Sequence, residues 1–322
     1  MRKLFIGGII LLILILISFF FLSPFRAPGT DKTIQIFVLE ASNNDVAGLK
    51  LEEKGFVRSV LGFEIARTLS GKKNDFQEGG YYLSKNMTAF DVASHLSRGP
   101  DLKWVKVLPG WRKEQIGEEL HKIFGWSDSD LKNWNNTYTA MKFDYTEGVY
   151  FPDTYLIPVK EDGLQIANRM IAHFNEKMTP YAGEFAKKDI KWTTGVKVAS
   201  LIQKESSGTD MKLISGIIWN RLLANQKLQI DATVQYAKGK TNGNWWPSVF
   251  GSDITNIDSS FNTYKHLGLP PTPIAEPSLD AIEAALNPAQ TDCIYYLHDK
   301  SRQIHCSKTY EEHLTNIKKY LN

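Results

Sequence analysis

The chain begins Met1-Arg2-Lys3 and then runs from Leu4 to Leu22 without a charge, with only Gly7, Gly8 and Ser18 among the apolar residues. At ~1.5 Å rise per residue, about 19 helical residues cover roughly 28 Å, close to the hydrocarbon thickness of a bilayer. The run is longer than a signal-peptide core, and Ser23-Pro24-Phe25-Arg26 after it offers no small-x-small cleavage site, so the sequence predicts an uncleaved anchor. Arg26 and Lys32 beyond the run weaken the charge asymmetry, but the short basic N-terminus favours retention in the cytoplasm. No other stretch is as long and uncharged. The expectation is a single-pass protein of the inner (plasma) membrane whose remaining ~295 residues fold outside the cytoplasm.

The chain as a whole has the composition of one whose bulk folds in water. Of the 322 residues, 43% are hydrophobic and 23% charged, which argues against disorder and against a polytopic membrane protein. Lys and Arg number 38 against 35 Asp and Glu, a formal charge of +3, so the global positive field of a nucleic-acid binder is missing. Cys293 and Cys306 are too few for a four-thiolate zinc site or a disulfide scaffold, and outside the cytoplasm a single bridge between them can persist.

After a linker from Pro24 to Pro28, three segments share a strand-turn-helix grammar. The first is Thr33 to Val38 with a helical stretch ending near Gly55; the second is Tyr81 to Ser84, then Met87 to Leu96; the third is Trp104 to Gly110, then Ile116 to Leu120 with a stop at Gly125. Such a region reads equally as a glycan-binding module of LysM type and as a spacer. From about residue 127 the pattern turns to long helices, such as Leu164 to Phe174, and near the end two strand-like runs, Cys293 to Leu297 and Gln303 to Cys306, flank a turn at Asp299-Lys300. Pairing about that turn sets Cys293 opposite Cys306, so a cross-strand disulfide is open. A basic helix, Tyr310 to Leu321, closes the chain. The fold class is therefore α+β: anchor in 1–28, a LysM-like α/β region in 29–126, and in 127–322 a mainly helical α+β domain with a C-terminal β-hairpin.

One helix carries an acid where an aliphatic residue belongs. In Val196 to Ser207, Val198, Leu201 and Ile202 form an inward stripe, and the next position of that stripe is Glu205. Desolvation opposes the ionised carboxyl and raises its pKa, as a catalytic acid working near neutrality requires. The bland alternative is a buried Glu paired with Arg221 or a Lys. Downstream, Asp210 stands where a helix N-cap is expected, and Asp231 reads either as a cap for a short helix, Val234 to Ala237, which the spacing slightly favours, or as a polar wall of a cleft. Trp192, Trp245 and Trp246 are either sugar-stacking platforms or core.

The succession Glu147-Gly148-Val149-Tyr150-Phe151-Pro152-Asp153-Thr154-Tyr155, Leu201 to Ser206, Asn220-Arg221-Leu222, Leu228 to Tyr236, Phe261-Asn262-Thr263-Tyr264, and Gly268 to Ile274 with Pro277 resembles the membrane-anchored endolytic murein transglycosylases of the YceG-like (MltG-type) family. No single motif decides this, but their order along the whole chain is specific. Phe261 stands where the family has Tyr and Thr272 where Gly is usual; Ile304 or His305 falls near the family His, and neither is given a role.

The resemblance implies cleavage of the MurNAc-GlcNAc β-1,4 bond of peptidoglycan with a 1,6-anhydroMurNAc end. Glu205 would be the acid and then the base, and Ser206 keeps the hydroxyl of the family's neighbouring Thr. Ser206, Gln229, Asp231, Asn262, Thr263 and Tyr264 are the substrate-binding candidates; Gln229, Asn262 and Tyr264 are equally readable as ordinary buried hydrogen-bond partners. One carboxyl can suffice, since the muramic C6 hydroxyl is a tethered nucleophile. The expected partners are nascent glycan strands, whose growth such cleavage would terminate, and, from the family alone, penicillin-binding proteins or other wall-synthesis enzymes; neither metal nor cofactor is expected. The rivals are a non-catalytic wall-binding adaptor and a muramidase that uses water, with Asp231 or Asp153 as the second carboxylate.

Overall fold

The computed structural model describes residues 2–24, 33–40, 44–71 and 76–321. Beyond Pro24, the expected linker lies outside them. The chain separates into two compact units, Met1–Val105 with Tyr155–Glu161, and Lys106–Thr154 with Asp162–Asn322. The third strand-turn-helix segment is thus divided: Trp104 and Val105 fall in the first unit, and the rest of the segment with its helix in the second.

In the first unit, helix α1 (Arg2–Leu22) spans 21 residues. Among the described residues no helix is long and apolar enough to cross a membrane, and several side chains of α1 are not among those described. Strand β1 (Gln35–Leu39) leads to α2 (Asn44–Glu53) and α3 (Val60–Leu69), then β2 (Gly79–Leu83), α4 (Ala89–Leu96) and β3 (Leu102–Lys106); β4 (Thr154–Pro158) returns to the same sheet, whose order is β1-β2-β3-β4. β1 and β2 run antiparallel, Gln35 facing Leu83 and Leu39 facing Gly79. Alternation along both strands sends Phe37, Leu39, Tyr81 and Leu83 into a core shared with Phe56, Phe63, Val92 and Leu96. Thr88 and Asp91 start α4 with a reciprocal capping box. The sequence pattern predicts β1, β2, α2 and α4; α3 and β4 are additions to it.

The second unit begins with α5 (Lys113–Phe124), which Gly125 ends in a left-handed turn, and α6 (Asp128–Asn136). It continues with α7 (Gly163–Lys187), α8 (Trp192–Glu205), α9 (Met211–Leu223), α10 (Asp231–Lys238), α11 (Gly251–Asn256) and α12 (Leu279–Leu286). An antiparallel hairpin, β5 (Tyr295–His298) and β6 (Ile304–Ser307), and α13 (Tyr310–Tyr320) complete it. α8 is the central element: α7, α9, α10 and α12 all pack on it, and Val196, Val198, Ala199, Leu201 and Ile202 are buried. Its buried stripe is apolar apart from Ser200, while Lys197, Gln203 and Lys204 stand on its half-buried side, and Glu205 is its last residue.

The mixed α/β class and the terminal hairpin agree with the sequence, but the register differs by three residues. Tyr296, not Cys293, faces Cys306, because Tyr295 pairs with Ser307 and the turn tightens around Asp299. Cys293 lies just before β5, and the bridge to Cys306 still closes, with Cα atoms 5.8 Å apart. It locks the start of β5 to β6 across a sequence separation of 13. A loop of about 15 residues is worth roughly 3 kcal/mol in the chain-entropy account. The Cys293→Ser, Cys306→Ser double variant should therefore lose about 2–3 kcal/mol in urea unfolding; an unchanged midpoint would mean that the bridge does not constrain the unfolded chain.

Candidate active site

α8 ends because Ser206 turns extended and Gly208 takes a positive φ of 111°. Glu205 is thus delivered by the core helix to the rim of a cavity of about 570 Å³ within the second unit. Lys204, Arg221, Gln229, Asp231, Tyr264 and the strand residues Tyr295, Tyr296 and His298 share that wall, with Tyr310 and His313 from the last helix region. The residue is half-buried, and burial pushes its carboxyl up from the ordinary range. The neighbouring Asp231 carboxylate adds to the rise, whereas the Tyr296 hydrogen bond, His298 and Arg221 oppose it. The C-terminal end of a helix also disfavours a negative charge.

Among the described residues Glu205 has no ion pair. Tyr296 Oη donates to its Oε2 at 2.6 Å. Arg221, one of the ion-pair partners open to Glu205 on the sequence, spends its guanidinium on the carbonyls of Ile294 (2.6 Å) and Leu228. The acid is left as an unneutralised carboxyl facing open space.

The loop that follows is held by Asp210. At the N-cap position of α9, Asp210 makes no capping bond; its carboxylate instead accepts from Ser206 Oγ (2.5 Å), Ser207 N–H (3.0 Å) and Ser207 Oγ (2.9 Å) and pairs with His298 Nε2 (2.7 Å). Burial works against its charge, yet these bonds hold it below the usual carboxylate range. Ser206 therefore serves the loop that positions Glu205 rather than the cavity wall.

The other candidates divide by depth. Gln229 and Asp231 are exposed at the cavity, and Tyr264 joins them there, its hydroxyl donating to Asp231 Oδ1 at 2.6 Å. The slight preference for Asp231 as a cap is corrected: it is the first residue of α10, without a capping bond, and its side chain turns to the cleft. Gln229 sits at φ 51°, a strained conformation for a side chain of this kind, held by its N–H to the Thr263 carbonyl at 3.3 Å. Thr263 is buried behind it, accepting from Ile230 N–H (3.0 Å) and bonding Thr233 Oγ1 (2.9 Å). Asn262 is also buried, its amide donating to the carbonyls of Ile254 (3.0 Å) and Ile257 (2.9 Å). These two shape the wall from behind and do not line the cavity.

Asp153 lies elsewhere, bonded to His173 at 2.8 Å. His305 pairs with Asp299 and stacks on Tyr320, also away from the cavity. Trp192 packs between Tyr145 and Phe174. Trp245 and Trp246 donate their indole N–H groups to Glu118 and Gln115, each at 3.1 Å. Tyr296 and His298 are site residues that the sequence reading passed over, although two residues apart on a strand they share a face.

A second acid cluster supports the same unit. Glu147 and Glu276 are fully buried and hydrogen-bonded to one another. Glu147 accepts from Lys113 N–H (2.7 Å) and Tyr236 Oη (2.9 Å); Glu276 accepts from the N–H groups of Gly148 (2.9 Å) and Tyr150 (2.8 Å). Gly148, at φ 78°, is required here, since a Cβ would lie 2.6 Å from Pro273. Burial first, and then the neighbouring acid, keeps a proton on this pair well above the carboxylate range.

The pair explains why the Glu147 and Gly268-to-Pro277 motifs occur together: it joins them. The unfolded chain releases its carboxyl protons near pH ~4.3, while the folded pair retains one to higher pH, so the pair's contribution to stability falls as pH rises above about 4.5. In Glu147→Gln the amide keeps an oxygen for Lys113 and offers Glu276 a donor, which relieves the conflict. Urea midpoints should fall less between pH 5 and pH 8 in this variant than in the wild type; equal slopes would show that the pair does not hold a proton.

The chain belongs to the YceG-like family, whose profile matches residues 37–319. A protein named endolytic murein transglycosylase from Streptococcus pneumoniae serotype 2 (strain D39 / NCTC 7466) is 28% identical over 328 residues, covering 91% of this chain and 59% of its own length. One of the same name from Bacillus subtilis (strain 168) is 28% identical, covering 90% of this chain and 85% of its own. This chain thus spans about three fifths of the pneumococcal relative. A crystal structure of a yceG-like protein from Listeria monocytogenes shares the fold, with a TM-score of 0.61 and 24% identity over 88% of this chain and 99% of that one.

Proposed function

We propose that the chain is a lytic transglycosylase that cuts the MurNAc-GlcNAc β-1,4 bond within peptidoglycan strands. The observation that carries this is Glu205, a carboxyl whose pKa burial raises and which, among the described residues, has no ion pair, on the wall of an open cavity. Family membership and the names of the relatives agree with it.

The Glu205 carboxylic acid donates its proton to the glycosidic oxygen as the bond from that oxygen to muramic C1 breaks, releasing the GlcNAc 4-hydroxyl. The muramic C6 oxygen closes on C1 and passes its proton to the Glu205 carboxylate, which restores the acid; no water is consumed. Tethering of the nucleophile supplies the proximity that a bound water would otherwise need. The Tyr296 hydroxyl stabilises the transient carboxylate, and the Asp210 clamp fixes the loop beneath it. Gln229, Asp231 and Tyr264 line the same cavity and, in this reading, hold the sugar's polar groups.

The anchor belongs to the same proposal. α1 is a continuous helix of 21 residues, and Ile6, Leu11, Leu12 and Leu16 are exposed on it, an arrangement that water disfavours and lipid accepts. An inner-membrane anchor with the body outside would confine cutting to nascent strands, and so to strand termination beside penicillin-binding proteins or other synthesis enzymes. The sheet unit would act there as a LysM-like glycan contact or as a spacer.

Glu205→Gln should reduce anhydro-muropeptide release from purified murein by at least about a thousandfold, within the range for loss of an acid-base group, while far-UV dichroism stays unchanged. Products ~18 Da heavier, carrying reducing ends, would instead identify water as nucleophile. Activity requires the protonated acid, so kcat/KM should fall as pH rises through the Glu205 titration. Removing the hydrogen bond that favours the anion should move that limb to higher pH in Tyr296→Phe; a limb that stays or moves down would contradict the role given to Tyr296.

A further inference from the structure

Lys204 is the residue beside Glu205, and it lines the same cavity. Its ammonium lies 3.7 Å from the centre of the Trp246 ring, and its hydrogen bond is a long one, 3.4 Å, to the Gly110 carbonyl. Among the described residues no carboxylate lies within ion-pairing distance of it. Cations taken partly out of water are ordinarily paired. This one is instead braced against an indole whose N–H is fixed by Gln115, with the Arg112 guanidinium 5.9 Å from the same ring and adding repulsion. Burial, with Arg112, draws its pKa down to about 8, while Glu205 works the other way. An ammonium has three donors, and the long contact to Gly110 employs one of them.

Resting on the transglycosylase reading, we infer that Lys204 is a specificity residue that takes a carboxylate carried by the muramyl substituent of the glycan, either the lactyl acid itself or an acid of the peptide stem. An arriving carboxylate supplies the partner that the protein withholds. It also places the muramyl side of the scissile bond, the side that carries the C6 nucleophile, next to Glu205. An uncharged polymer of N-acetylglucosamine cannot make this contact.

The test uses the full chain carrying Glu205→Gln, in detergent, so that binding is read without turnover. Three soluble glycans are compared by calorimetry: a chito-oligosaccharide, stem-free murein glycan with lactyl carboxylates, and stem-bearing murein glycan. At least one carboxylate-bearing glycan should bind about tenfold tighter than the chito-oligosaccharide, with an affinity that falls as salt rises. Lys204→Gln should remove that increment and its salt dependence and leave chito-oligosaccharide binding unchanged; Lys204→Arg should retain most of it. An increment with the stem-free glycan assigns the lactyl acid, and one confined to the stem-bearing glycan assigns the stem; both support the inference. Equal weakening for all three glycans, or no effect of Lys204→Gln, overturns it. Anhydro-product formation by the chain with Glu205 intact is scored separately, so failure of the chemistry is distinguishable from failure of this contact.

Discussion

The withdrawal of one carboxyl from water is the interaction on which the rest of this site depends. α8 packs against α7, α9, α10 and α12, and the stripe that it turns to them is apolar from Val196 to Ile202 apart from Ser200. Glu205 is its final residue, at the point where the helix meets the cavity. There the acid is close enough to the core to lose hydration and close enough to the cavity to meet a ligand. A turn earlier it would be sealed in, as Ser200, Leu201 and Ile202 are. A residue later it would lie in the loop tied to Asp210.

Raising the pKa of such a group means keeping ion-pair partners away from it, and the second unit does this by directing its nitrogen donors elsewhere. Arg221 is spent on two carbonyls, His298 faces Asp210, and Lys204 is held against the Trp246 ring and Gly110. The hydrogen bond that Glu205 does receive comes from a neutral phenol, which can help a passing carboxylate without holding a permanent one. Glu147 and Glu276 follow different logic. They face no cavity, they receive four hydrogen bonds from backbone and Tyr236, and their proton joins two distant stretches of chain. Both clusters raise carboxyl pKa values, but only one opens on space for a substrate.

The sequence carried much of this, unevenly. Helix periodicity located α8 and singled out Glu205 because one acid in an apolar stripe is a local signal. The terminal hairpin was legible from two short runs and a turn, but not its register, since a shift along the strands leaves both runs strand-like and the turn residues do not fix it. β4 and α3 were missed for lack of a decisive pattern: Thr154 to Pro158 is short and ends in Pro, and its strand character comes from pairing with the sheet. Depth was the least legible property. Asn262, Thr263 and Tyr264 are consecutive, yet two face inward and one reaches the cavity, a difference set by the turn they form. The Glu147-Glu276 pair joins residues 129 apart in the sequence, and nothing local announces it.

Infrared difference spectroscopy between the wild type and Glu205→Gln, on protein with isotopically labelled Glu, reads the protonation of this one carboxyl directly. The account expects a protonated C=O band that disappears with the substitution and converts to carboxylate at a higher pH than that of an ordinary glutamate, about 4.3. Conversion at or below the pH of an ordinary glutamate, in the folded protein, would contradict it.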